Sequence, residues 1–182
     1  RTALREKREG RALLRNYRKD GTQFWNELHI APVKDACGAA TTHFVSVIND
    51  VSERLNYQKE LEYQATHDSL TGLANRNLLN DRITQAVAWA KRQDLTVGVM
   101  LLDLDHFKLI NDASGHGAGD EMLRQVAQRL SNCVRDTDTV ARLGGDEFVI
   151  VLTDLPEVGD IDLIADKVQG SLARPFDVYG HD

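Results

Sequence analysis

Two apolar stretches that end in acids constrain this chain more than any other feature. The first, Val97 to Leu102, is almost wholly apolar and runs into Asp103-Leu104-Asp105-His106-Phe107-Lys108. Its length and ending predict a buried strand that delivers carboxylates to an open edge. Side chains alternate along a strand, so Asp103 and Asp105 are expected on opposite faces. The second stretch holds two apolar runs, Val140-Ala141-Arg142-Leu143 and Phe148 to Leu152, around Gly144-Gly145-Asp146-Glu147. That pattern predicts a hairpin with acids at its tip, the glycines supplying backbone conformations that other residues resist. If the hairpin pairs beside the first strand, Asp103, Asp146 and Glu147 converge. Clustered carboxylates suit a hard cation such as Mg²⁺, shared with substrate phosphates.

The residues around these strands add polar chemistry. Asp105 is expected to cap a short helix over His106 to Asn111. The amides of Phe107 and Lys108 then lie at a helix N-terminus, which favours phosphate. Lys108 would add a full charge there, although a lysine taken alone is ordinarily a solvated surface residue. Asn111 and Asp120 frame Gly115-His116-Gly117-Ala118-Gly119. An amide that donates to a carbonyl and a carboxylate that accepts from two donors suit the edge of guanine; Asp120 could equally cap a helix. From Glu121, residues Leu123, Val126, Ala127, Leu130, Cys133 and Val134 recur at helical spacing, as do Ile161, Ile164, Ala165, Val168 and Leu172 before Pro175. Asn75 is placed to cap a helix carrying Leu79, Ile83, Ala86, Val87 and Ala90. Asp68 and Arg76 read as a structural ion pair, and Trp89 as a core or interface residue.

Four stretches in this order resemble the GGDEF domain, the diguanylate cyclase family. Asp68-Ser69-Leu70-Thr71-Gly72-Leu73-Ala74-Asn75-Arg76 is similar to the family's opening signature, with Ala74 where proline is usual. Asp103 to Gly119 resembles its D-x-D-x-F-K-x-x-N-D-x-x-G-H-x-x-G core. Arg135-Asp136-Thr137-Asp138 resembles its R-x-x-D inhibitory motif, and Gly144 to Phe148 its name motif. The resemblance implies a palm-like α/β sandwich, as in nucleotidyl cyclases and polymerases, that condenses two GTP molecules to cyclic di-GMP with release of pyrophosphate. It implies Mg²⁺ or Mn²⁺ held by Asp103, the Leu104 carbonyl and Asp146, with Glu147 assisting a second ion. Asp146 would also accept the proton of the attacking hydroxyl, and Lys108 would stabilise the transition state. Asn111 and Asp120 would read guanine, with His116 lining the site beside Phe107 and Lys108. Arg135 and Asp138 would bind the product as a feedback inhibitor; a plain surface ion pair is the other reading of those two. Each domain would hold one GTP, so the active species would be a homodimer.

The first fifty residues follow a different pattern. Alternation begins at Ala12, breaks at Lys19-Asp20-Gly21 and resumes from Thr22 to Ala31, a hairpin pattern. Phe24, Asn26, Leu28 and Ile30 should share one face of the second strand, and Trp25, Glu27 and His29 the other. A turn at Asp35-Ala36-Cys37-Gly38 precedes a third strand, His43 to Ile48. Three strands cannot close a core by themselves, so further strands are expected upstream. The segment resembles the C-terminal half of a PAS sensor domain, and Asn16-Tyr17-Arg18-Lys19-Asp20-Gly21 and Phe24-Trp25-Asn26 resemble its flavin-binding LOV branch. Asn16 and Asn26 then either contact a flavin or are satisfied polar groups of an empty sheet. Ile48 stands where that branch has glutamine, which would leave part of a flavin's edge unpaired at a cost of ~1–3 kcal/mol. No PAS cofactor is therefore expected, and the protein should purify colourless. Asp50-Val51-Ser52-Glu53 reads as a capping box opening a helix with Val51, Leu55, Gln58, Glu62 and Ala65 near one stripe, either a signalling linker or a passive spacer.

Composition sets the remaining bounds. The 182 residues carry 22 basic and 28 acidic side chains, a net charge of -6 that argues against a general nucleic-acid surface. Cys37 and Cys133 lie far apart with no ligand spacing, and read as buried thiols of a reducing compartment. No apolar run approaches the ~20 residues of a membrane span, so a cytoplasmic domain without membrane contact of its own is expected, with any tether upstream. The expected organisation is a partial PAS unit over 1–50, a linker helix over 51–66 and a GGDEF unit over 67–182 whose last strands and helix lie downstream. On that view these residues alone are inactive. The competing function is a catalytically silent domain that binds GTP or cyclic di-GMP and regulates a larger protein, for instance one with a phosphodiesterase domain downstream.

Overall fold

The structure, a computed structural model, describes residues 8–38, 40–155 and 159–177. By sequence the segment Arg1 to Gly10 is too charged to form a core; its residues 1–7 lie outside the described residues. Two units divide the chain, Arg1–Leu61 and Glu62–Asp182.

In the first unit the alternating pattern becomes strands β1 (Gly10–Tyr17), β2 (Gln23–Lys34) and β3 (Thr41–Asp50), antiparallel in the order β1-β2-β3. Gly21 makes the first turn with φ of +85°, a region open to glycine and strained for most other residues. The Asp20 carboxylate accepts from the Thr22 amide at 2.8 Å, closing the same turn. Both strands beside β2 leave their apolar residues in solvent: Leu13, Val45, Val47 and Ile48 are all at least half exposed. On β2 itself Asn26 is 3% exposed with its Oδ1 unpartnered among the described residues, so it is not the satisfied polar group of an empty sheet. Cys37 is exposed, not buried, because its turn projects from the sheet; Cys133 is buried as expected.

Helix α1 (Ser52–Thr66) follows β3 and buries none of its side chains. Its start departs from the expected capping box. Asp50 does accept from the Ser52 amide at 3.0 Å, but Val51 occupies the position before the helix and donates its own amide to the Trp25 carbonyl. The Ser52 hydroxyl accepts from the Trp25 amide at 2.8 Å, so the helix start is tied to Trp25 of β2 by one backbone bond and one side-chain bond.

The second unit is an α/β sandwich. Its sheet holds β4 (Thr96–Asp103), β5 (Thr139–Gly144) and β6 (Glu147–Leu155), antiparallel in the order β4-β6-β5. Around it lie α2 (Arg76–Gln93), α3 (Phe107–Ser114), α4 (His116–Ser131) and α5 (Asp160–Leu172). The central strand β6 is apolar at every position from Phe148 to Leu152 because both of its faces are covered. Phe148, Ile150 and Leu152 join Leu123, Val126 and Leu130 of α4 and Val168 of α5 in one cluster. Val149 and Val151 join Leu79 and Ala86 of α2 in another. Asn75 caps α2 as its sequence position predicts, accepting from the amides of Asn77 and Leu78. Trp89 is nearly half exposed and not core; its indole N–H donates to Asp154 at 3.0 Å. Among the described residues no helix is long and apolar enough to cross a membrane.

Candidate functional site

The antiparallel register of β4 and β6 sets Asp103 directly opposite Glu147 at the open end of the sheet. By strand alternation Glu147 shares its face with Val149 and Val151, yet both acids lie beyond the helix cover and are exposed. Asp146 stands in the turn, half-buried. Gly144 and Gly145 shape that turn with φ of +143° and +54°, which excludes an ordinary side chain at either position. Full convergence of the three acids does not occur. Among the described residues no group of three His, Cys, Asp or Glu side chains is placed to hold a metal ion, Asp146 lying in the turn and outside the strand that carries Glu147. A facing pair, Asp103 and Glu147, remains, with Asp146 beside it in sequence.

Arg142 holds the turn in place, a role that escaped the sequence reading. Its guanidinium is 10% exposed and donates through Nε and Nη2 to the Gly145 carbonyl at 3.0 and 2.7 Å. Its Nη1 donates to Asp68 Oδ1 at 3.0 Å. The partner of Asp68 is thus Arg142 and not Arg76, since the sequence neighbour heads α2 while the loop folds toward β5. Ala74 makes that approach possible: its N–H donates to the Val140 carbonyl at 3.3 Å and its carbonyl accepts from the Arg142 amide at 2.9 Å. A proline there, the family's usual residue, has no N–H to donate. Burial of Asp68 acts to raise its carboxyl pKa, but hydrogen bonds from the Thr71 hydroxyl and amide and the Arg142 guanidinium outweigh it and hold the group below the ordinary value. The signal for this clamp was an arginine set inside an apolar strand. Burial of such a residue requires a partner.

Beyond β4 the chain makes a tight turn. The Phe107 amide donates to the Leu104 carbonyl at 3.2 Å, and His106 takes φ of +62° at the residue before α3. Asp105 is exposed and caps nothing, correcting the expected N-cap, and the helix runs on to Ser114 instead of ending at Asn111. Histidine is among the few non-glycine residues enriched in that left-handed region. The Phe107 N–H is therefore committed within the turn, whereas the Lys108 N–H has no partner among the described residues. The Leu104 carbonyl keeps a second lone pair free to coordinate.

Asn111 in α3 lies against Gly119 of α4, the residue before Asp120, where those two helices touch. Neither side chain is hydrogen-bonded or ion-paired among the described residues, and both are half-buried. Asp120 lies past the first turn of α4, which starts at His116 with Gly115 before it and not at Glu121, so a capping role is excluded. His116 is exposed at that helix start and Lys108 at the start of α3. Oxygen donors from Asp103, Glu147 and the Leu104 carbonyl are the hard ligands that Mg²⁺ or Mn²⁺ takes alongside substrate phosphates, so the residues present fit such an ion.

Arg135 and Asp138 line a second cleft with Cys133, Leu163, Ile164 and Lys167. They do not form a surface ion pair. The Asp138 carboxylate accepts from the amides of Arg135 and Thr153, each at 3.0 Å, which fixes the turn into β5 and leaves the Arg135 guanidinium unpartnered among the described residues.

Residues 65–182 match the family described as diguanylate cyclase, GGDEF domain, and residues 1–53 match a PAS domain. Over 124 residues, covering 68% of this chain, the sequence is 44% identical to the bifunctional diguanylate cyclase/cyclic di-GMP phosphodiesterase MucR of Pseudomonas aeruginosa, of which it spans 18%. It is 43% identical to the diguanylate cyclase TpbB of the same species, with 64% of this chain and 27% of TpbB aligned. The solved GGDEF domain of that TpbB superposes with a TM-score of 0.60 at 41% identity, covering 62% of this chain and 65% of that one. The coiled coil and GGDEF domain of DgcB from Caulobacter crescentus, solved in complex with c-di-GMP, gives 0.58 at 32% identity, with 64% and 61% covered.

Proposed function

The chain belongs to the GGDEF domain family, and from that membership we propose that it condenses two GTP molecules into cyclic di-GMP, releasing two pyrophosphates, under control of its PAS segment. The observation that carries this reading is the Asp103–Glu147 pair at an open sheet end, next to a turn that Arg142 holds rigid. The facing pair Asp103 and Glu147 and the Leu104 carbonyl would hold Mg²⁺ or Mn²⁺, with Asp146 joining them only by turning its side chain from the place it has here. Such an ion, when bound, lowers the pKa of the attacking 3′-hydroxyl and offsets phosphate charge. Asp146 accepts that hydroxyl's proton. Lys108 and its amide meet the phosphates, the charge on Lys108 growing in value as the transition state forms. Phe107 shapes this corner through its ring, its amide being committed to Leu104. Asn111 and Asp120 read guanine and His116 closes the site beside them. Because one chain binds one GTP, two copies face each other in the active homodimer. Arg135 binds product in the second cleft with Asp138 holding the turn, which imposes feedback inhibition.

A silent regulatory role is the second reading, favoured by the 37% identity to NbdA of Pseudomonas aeruginosa, which is named a cyclic di-GMP phosphodiesterase. Chromatography of a GTP and Mg²⁺ reaction with the full-length protein separates the two. Asp146→Ala should abolish product while leaving the fold intact; a variant that keeps wild-type turnover sinks the assignment.

A further inference from the structure

Helix α4 carries Gly119 in its interior, where glycine weakens a helix relative to alanine because its backbone loses more freedom on folding. The position is buried. A methyl group built there would overlap Asn111 Oδ1 and stand 3.0 Å from Asn111 Cγ and 3.1 Å from Phe107 Cζ. Gly170, also helical, in α5, has nothing within 4 Å of the same point. The bare Cα at 119 is therefore what gives the Asn111 amide its place, and no hydrogen bond within the described residues holds that amide instead.

We propose that Gly119 is a positioning residue that aims the Asn111 amide at the nucleotide base and so sets the preference for guanine over adenine. The inference rests on the reading of this site as a GTP site. Guanine offers a carbonyl to an amide N–H and two donors to a carboxylate, whereas adenine offers neither arrangement. Asp120 directly follows Gly119, so one helix contact registers both base readers at once. With alanine at 119, the end of the flexible Asn111 side chain must swing aside. That motion is cheap for the fold and costly for recognition, because a displaced donor leaves its partner unpaired. A glycine retained only for helix packing would behave in the opposite way, losing stability and keeping selectivity.

The test uses the full chain with Gly119→Ala, Asn111→Ala, the double variant and Gly170→Ala as control, titrated with GTP and with ATP in Mg²⁺ and melted in parallel. Gly119→Ala should reduce the GTP-to-ATP affinity ratio by roughly tenfold or more with a melting temperature equal to or above wild type. In the Asn111→Ala background the same change should cause no further loss of ratio, since residues that act through one another are not additive. Gly170→Ala should leave the ratio untouched. An unchanged ratio in Gly119→Ala overturns the proposal, and so does a loss that appears only with a lowered melting temperature. Equal binding of GTP and ATP by the wild-type chain would defeat the guanine reading itself and this inference with it, a result read without any variant.

Discussion

Sheet β1-β2-β3 and sheet β4-β6-β5 each contain three antiparallel strands, yet their apolar side chains end in different environments. On β6 five consecutive residues, Phe148 to Leu152, are 5% exposed or less, whereas Val45, Val47 and Ile48 of β3 are 51–60% exposed. Strand propensity is similar in the two; both are rich in β-branched and aromatic residues. The difference comes from helices. Amphipathic α2, α4 and α5 each bring an apolar stripe to the second sheet, and α1, which buries no side chain, brings none to the first. Strand sequence alone therefore does not tell how far a sheet is covered. The partners in the same unit decide it, and they also leave the Asp103–Glu147 end open where the helices stop.

The sharpest way to break this comparison is to hollow out each sheet. Phe148→Ala should cost the second unit about 3–5 kcal/mol, read as a shift in its urea midpoint at constant slope. A loss below about 1 kcal/mol would mean that the cluster around β6 is not its main support. Arg142→Ala should cost about 2 kcal/mol, because it leaves Asp68 and the Gly145 carbonyl without their shared donor; Arg142→Lys should recover only part, a single ammonium being unable to span both. The same clamp predicts a pH signature. The folded pKa of Asp68 lies below its ordinary 3.8, so its contribution is complete above that pH and is lost as pH falls through the lower folded value. Asp68→Asn should thus flatten the acid limb of the stability curve and leave the neutral-to-basic shape unchanged. Asn75→Ala should cost about 1 kcal/mol by removing the cap of α2, measurable as a small midpoint shift. Smallest of all, Ile48→Ser in the first unit should change stability by less than about 0.5 kcal/mol. A large drop would show that this face is covered in solution and would erase the contrast.

Much of the second unit was legible because its signals are local and periodic. The apolar run of β4, the Gly-Gly turn, the Asn75 cap and the stripe of α5 fall where the spacing put them, while α4 starts earlier than Glu121 and ends at Ser131, before Cys133 and Val134. What the sequence hid were partners distant along the chain. Asp68 was matched to the nearest arginine, Arg76, but its partner lies 74 positions away in β5. A surface ion pair with Arg135 was the alternative reading of Asp138, and its carboxylate is instead spent on two backbone amides. Asp105 had the chemistry of a cap, but the turn that follows β4 gives that position to His106. Trp89 reads in sequence as core or interface; it is not core and lies on the rim of a cleft with Arg82, Thr139 and Asp154. Local preferences fix which elements form, and the loops that join them decide which polar groups meet.

The strand order β4-β6-β5 also orders events in time. β5 and β6 are joined by the two-residue turn Gly145-Asp146, so they can pair as a hairpin within microseconds of collapse. β4 precedes both and among the described residues pairs only with β6, so it must wait until a loop holding α3, α4 and β5 has closed, an entropic cost that slows non-local pairing. The refolding rate should then respond to substitutions such as Ile150→Val in the hairpin, while changes in β4 such as Leu102→Ala should act chiefly on the unfolding rate. The Asp103–Glu147 pair, which needs both strands, would be among the last features to appear on folding and the first to part on unfolding.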